Sequence, residues 1–163
     1  MPLEQLVSAH FKYQPGWGIL CNMQKEILDY LKTQRVGVLS VEMMDGSPHG
    51  ATVHFANSES PTIFYFETDR DYKKSEVLFG REVTRASFVV GVSEKEPRTL
   101  QVDGEVRLIK PEEKAEFEKI YLGRFPEKAK KMDNSNSVFF LFIPKWWRFI
   151  DFAHKEGKLV LAS

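Results

Sequence analysis

The stretch Pro61-Thr62-Ile63-Phe64-Tyr65-Phe66-Glu67-Thr68-Asp69-Arg70-Asp71-Tyr72-Lys73-Lys74-Ser75-Glu76-Val77-Leu78-Phe79 reads as strand, turn and helix. Thr62 to Phe66 is a short β-branched and aromatic run, and the charged residues after it end the strand. Asp71 is an N-cap candidate, so a helix starting at Tyr72 would put Lys73 and Lys74 in its first turn. Cations there oppose the helix dipole at a cost of about 0.3–1 kcal/mol each, and a bound anion would reverse the sign. Free backbone N–H groups, the Thr68 hydroxyl and two ammonium groups make a phosphate seat. Taken alone, the lysine pair reads more readily as a solvated surface, and it is the neighbouring Thr68 that favours the phosphate seat.

Working outward, the chain is a meander. Val36 to Met43 has a strand pattern, Asp45-Gly46 supplies a reversing turn, and His49 to Ala56 forms a second strand. Thr84 to Val92 follows the basic segment as the fourth strand. In the fifth, Leu100, Val102, Val106 and Leu108 alternate with Gln101, Asp103, Glu105 and Arg107, so one face is buried and the other polar. Gly104 marks a bulge or sharp bend. The run Ser137 to Phe152 is rich in Phe and Ile, but Pro144 should bend or break it. Lys158 to Leu161 adds a short strand.

Helices are peripheral. Asn22 can cap a helix to about Thr33 whose apolar face is Met23, Ile27, Tyr30 and Leu31. Residues 111–135 form a helical insertion: Phe117, Ile120 and Tyr121 define an amphipathic helix after Pro111, closed by Gly123, and a shorter one follows Pro126. Residues 1–20 form an irregular arm, with a short helix around Glu4 to His10. Short antiparallel strands with few helices point to a small closed or partly closed β-barrel, a single domain over residues 1–163.

Composition narrows the function classes. The chain has 163 residues, 42% hydrophobic and 13% aromatic, with a formal net charge of zero. A neutral chain lacks the basic excess of a nucleic-acid binder, and no apolar run reaches the roughly 18 residues of a membrane span. The N-terminus has no signal-peptide pattern and Cys21 is the sole cysteine, which fits a cytoplasmic protein without disulfides. His49 and His54 are five apart in a strand, hence on opposite faces, so no metal site is expected from them. Local signatures of metalloproteases, nucleotide hydrolases, dinucleotide folds and serine hydrolases are all missing. Trp146 and Trp147 read as core or interface residues, or with one of them facing a ligand.

In their order and spacing, the leading helix, the strand pair around Asp45-Gly46-Ser47-Pro48-His49, Phe66-Glu67-Thr68, Lys73-Lys74 and Leu100-Gln101-Val102-Asp103-Gly104 resemble the split-barrel flavin-binding family related to pyridoxamine 5′-phosphate oxidase. The resemblance implies a mainly β (α+β) fold, a six-stranded antiparallel split β-barrel with peripheral helices. It further implies flavin mononucleotide (FMN) in a cleft between the subunits of a homodimer. Thr68, Lys73 and Lys74 match the phosphate positions. Gln101 matches a glutamine near the flavin ring, and Ala51, Thr52, Val53 and His54 match the strand whose backbone lies along the isoalloxazine. Trp146 and Arg148 are further candidates from the final strand. A small-molecule substrate or a reduced nicotinamide would occupy the free flavin face. The alternative is a haem-binding or other ligand-binding split barrel without redox turnover. The oxidase proper carries an arginine on the second strand and an Arg-x-His-x-Arg-like tail. Here the strand reads Gly50-Ala51-Thr52-Val53 and the tail has only Arg148 and His154, which points away from true pyridoxamine phosphate oxidation.

Overall fold

A computed structural model describes residues 21–163, so the expected arm lies outside the described residues. The strands are β1 (Val36–Glu42), β2 (Pro48–His54), β3 (Ala56–Asn57), β4 (Phe64–Asp69), β5 (Thr84–Val90), β6 (Arg98–Leu108), β7 (Ser137–Asp151) and β8 (Leu159–Ala162). The helices are α1 (Lys25–Thr33), α2 (Ser75–Gly80) and α3 (Lys114–Arg124), with 3₁₀ turns at Pro111–Glu113 and Pro126–Lys131.

All strand pairs are antiparallel, in the order β2-β1-β5-β6-β7-β4-β3. The two ends of this path, β2 and β3, are one chain segment interrupted only at Phe55. A sheet whose first and last strands are continuous has closed on itself, which removes exposed edges. Counting β2 and β3 as one strand, the barrel has the expected six, and β8 is an addition outside it. The split lies along β7: residues 137–142 pair with β4, whereas residues 148–151 pair with β8.

Phe88 sits in the middle of the barrel core, with ring centroids 5.2 Å from Phe55, 5.1 Å from Phe64 and 5.2 Å from Phe66. These edge-on contacts suit the aromatic quadrupole. Helix α1 lays Ile27, Tyr30 and Leu31 against this core, while Phe117, Tyr121 and Phe125 of the insertion cover Tyr65 and Leu141 from outside. Glu67 fastens the insertion to β4, with Lys128 and Lys131 each 3.5 Å from its carboxylate.

Two local readings are corrected. First, α1 is preceded by Gln24 rather than capped by Asn22. Second, β4 runs on to Asp69 and α2 starts only at Ser75, so Lys73 and Lys74 precede the helix and Asp71 does not cap it. The cause is a pair of tight turns: Tyr72 N donates to Asp69 O at 3.2 Å, and Ser75 donates its N–H to Tyr72 O and its hydroxyl to Asp69 O, both at 2.8 Å. At Pro144 the expected bend or break takes the form of a bulge, in a strand that runs on to Asp151. The ladder pairs Gly104 with Pro144 and Asp103 with Trp146, leaving Lys145 as the extra residue of a bulge. Gly104 permits this because a Cβ there would lie 2.1 Å from the Ile143 carbonyl oxygen. The Asp45-Gly46 reversal is as expected, with Gly46 at φ 82°.

Candidate functional site

The period-two alternation of strands sets which side chains leave the barrel. On β1, β5 and β6, Leu39, Val41, Phe88, Val102 and Val106 fill the interior, so their neighbours face outward. Register then aligns one outward row across five strands: Thr52 opposite Val38, Val38 opposite Val89, Val89 opposite Gln101, and Gln101 opposite Arg148. At about 4.8 Å per strand the row spans roughly 19 Å. Three of the expected residues, Thr52, Gln101 and Arg148, thus share one surface line. Arg148 Nη2 donates to Gln101 Oε1 at 2.9 Å, and its guanidinium stands 5.8 Å from the centre of the Trp146 ring. Of the two tryptophans, Trp147 is in the core at 4% exposure and Trp146 is outside at 38%.

A second group lies at the end of β4. Thr68 is 5% exposed and its hydroxyl is buried without a hydrogen-bond partner. Lys74 is 6% exposed, and among the described residues its ammonium makes no ion pair. It rests over the Tyr72 ring at 4.6 Å. Burial pulls its pKa below the ordinary lysine value, against the pull of Asp69 and Glu67. Those two carboxylates flank Thr68 in sequence, which puts the ammonium beside the end of β4. Lys73 by contrast is exposed, and its charge reaches the β1–β2 turn, where it helps lower the pKa of Asp45. The lysine pair is therefore divided between a buried and a surface role.

Ala51, Val53 and His54 do not join these groups through their side chains. Val53 is buried in the barrel core and Ala51, of the same parity, is half-buried, so both could meet an outside ligand only through backbone. His54 faces outward and packs edge-on against Phe125, centroids 5.4 Å apart. Burial, then the nearby Lys128 and Arg35, lower its pKa and keep it neutral near pH 7. His49 alternates with His54 as the odd spacing requires. Among the described residues no group of His, Cys, Asp or Glu is arranged to hold a metal, and no helix is long and apolar enough to cross a membrane.

A parallel outward row lies beside the Thr52–Gln101–Arg148 row, of which the sequence reading singles out only Trp146. Gly50, Ser40, Ser87, Asp103 and Trp146 are successive register partners. Their signal was present, since each alternates with a core residue, but serines on a polar face carry no chemistry until their register is known.

Residues 23–151 match the family described as pyridoxamine 5′-phosphate oxidase. Among curated proteins nothing matches. Several solved structures share the architecture. A protein related to general stress protein 26, of the pyridoxinephosphate oxidase family from Clostridium acetobutylicum, superposes with a TM-score of 0.60 at 12% identity, covering 83% of this chain and 91% of its own. A haem-binding protein from Mycobacterium smegmatis gives 0.64 at 14% identity over 82% of this chain, which spans only 54% of that protein. An FAD-binding protein from Mesorhizobium loti gives 0.58 at 18% identity, over 76% and 89% of the two chains. At these identities the likeness is one of fold.

Proposed function

The chain belongs to the pyridoxamine 5′-phosphate oxidase family, and from that premise we propose that it is an FMN-binding flavoprotein, an oxidoreductase acting on a small substrate other than pyridoxamine phosphate. The observation that carries this reading is the pair at the end of β4. A lysine only 6% exposed whose ammonium has no ion pair among the described residues, and a buried hydroxyl without a partner, are both costly in an apolar setting. A phosphate dianion answers both at once, accepting from Thr68 and neutralising Lys74.

The outward row suits the ring end of the same cofactor. Gln101 offers its two amide donors outward, its acceptor end held by Arg148. Thr52 ends the row on β2, and the backbone of Ala51 to His54 runs along the same end. Bound FMN supplies hydride or electron transfer, and the chain's residues hold the phosphate, orient the ring and limit water access. A homodimer places a second subunit over the row, and a cytoplasmic setting supplies reduced nicotinamide as electron donor. The test is retention of colour: protein incubated with FMN and desalted keeps a flavin spectrum, whereas Lys74→Ala and Thr68→Val lose it. Loss of all flavin from the unaltered protein would end this reading.

A second reading has one observation in its favour. His54 is outward-facing and held neutral, the form of imidazole that ligates iron. A haem titration followed in the visible region, with His54→Ala as control, decides it: a Soret shift lost in the variant favours haem.

A further inference from the structure

The outer face carries a groove of about 540 Å³ next to the Thr52–Gln101–Arg148 row, lined among others by Ser40, Glu42, Arg85, Ser87, Asp103 and Lys145. Its charges are largely paired internally. Arg85 bonds Glu42 at 2.6 Å, and Lys145, turned outward by the bulge, lies 3.4 Å from Glu105. Asp103 is left as the carboxylate of the groove without a cationic partner among the described residues. Ser40 and Ser87 stand beside it in register, and neither hydroxyl makes a hydrogen bond among the described residues. Trp146 lies directly opposite Asp103 on β7.

We propose that this groove binds a ribonucleoside moiety, with the ribose cis-diol on Asp103 and the planar base against Trp146. A carboxylate accepts from two neighbouring hydroxyls at once, and serine hydroxyls complete the set because they both donate and accept. An organic cation would pair with the same carboxylate but leave the Ser40 and Ser87 hydroxyls and the Trp146 plane without a role. A nucleoside also carries its diol and its plane one ring apart, as Asp103 and Trp146 are one strand apart, about 4.8 Å. The groove adjoins the row assigned to the flavin ring. The nucleoside of choice is therefore a reduced nicotinamide, a choice that rests on the FMN reading; the diol site itself rests on the groove alone.

The experiment is calorimetric titration of the FMN-incubated, desalted protein with reduced nicotinamide riboside, its 2′,3′-dideoxy analogue, adenosine and putrescine. Removing the diol weakens binding about tenfold, as expected for charge-assisted hydrogen bonds. Asp103→Asn weakens the riboside by the same factor, and the variant shows no further loss with the dideoxy analogue, the signature of a shared contact. Trp146→Ala weakens both nucleosides. Equal affinity for the riboside and its dideoxy form, additive losses, or tighter binding of putrescine would overturn the proposal. The visible spectrum after desalting scores the flavin site separately: diol-dependent adenosine binding without retained flavin sinks the FMN reading and leaves this one standing.

Discussion

Arg148 reaches across the β6–β7 ladder and donates an Nη2 hydrogen bond to Gln101 Oε1 at 2.9 Å, so the acceptor end of the amide is engaged and its NH₂ is free to donate outward. The contact is exposed, and its contribution to stability is small. Its consequence is orientation. Either Gln101→Leu or Arg148→Ala is expected to weaken FMN binding about tenfold while leaving the unfolding free energy within about 0.5 kcal/mol of wild type. The double variant should lose less than the product of the two, because one contact serves both. Quenching of flavin fluorescence on titration measures all three, and strictly multiplicative losses would show that the two residues act separately.

Lys74 is expected to behave in the opposite way in stability and in binding. Replacing a buried cation that lacks an ion pair by an apolar side chain of similar length removes a desolvation cost. Lys74→Met should therefore stabilise the ligand-free fold by about 1 kcal/mol, a shift of roughly 2–4 °C, and abolish FMN retention. The pH dependence has a definite sign. With its folded pKa below the ordinary 10.5, the folded state binds fewer protons than the unfolded chain between the two values, so wild-type stability rises with pH across that window. The advantage of Lys74→Met is then full below the depressed pKa and shrinks as pH climbs toward 10.5. Thermal melts of both proteins across the alkaline range check this, and a constant difference would contradict it.

The barrel itself was legible from alternation and turns, because a one-residue slip would turn Phe88 or Val102 out of the core. What one strand's pattern cannot show is which residues of five strands come into line. Thr52, Gln101 and Arg148 meet through register between segments far apart in the chain, and the same register made a row of Ser40, Ser87, Asp103 and Trp146 that no local motif announces. The lysine pair was misplaced for a different reason. Asp71 carries the right chemistry for a cap, but hydrogen bonds to Asp69 O and Tyr72 O turn the chain tightly first and delay α2 to Ser75.

Core packing at Phe88 sets a scale for the fold. Its ring meets Phe55, Phe64 and Phe66 within 5.2 Å and lies beside Phe142 at 6.3 Å. Phe88→Ala leaves a cavity walled by four aromatic rings that cannot collapse together, at a cost of about 3–5 kcal/mol. Phe88→Leu keeps most of the volume and should cost less than half as much. Urea unfolding followed by tryptophan fluorescence gives both numbers, and a cost for Phe88→Ala near 1 kcal/mol would mean that the barrel interior is less tightly packed than these contacts require.

Arg107 and Glu113 tie the start of the helical insertion to the sheet through two hydrogen bonds of 2.7 and 2.6 Å, and Glu113 also accepts from the Lys110 N–H at 2.7 Å. Burial raises the Glu113 pKa, but the bonds from Arg107 and the Lys110 backbone outweigh it, so the net shift is downward. A carboxylate with a depressed folded pKa contributes stability that is complete above its unfolded value, near 4.5, and is lost as pH falls through the folded value. Glu113→Gln should cost about 2 kcal/mol at pH 7 and progressively less in acid, so that the wild-type and variant melting curves approach one another below pH 4.5. Because the insertion covers Tyr65 and Leu141, the same substitution should raise amide exchange in residues 114–124 before it does so in β5 or β6. Uniform loosening of the whole chain would instead place this ion pair in the global folding unit.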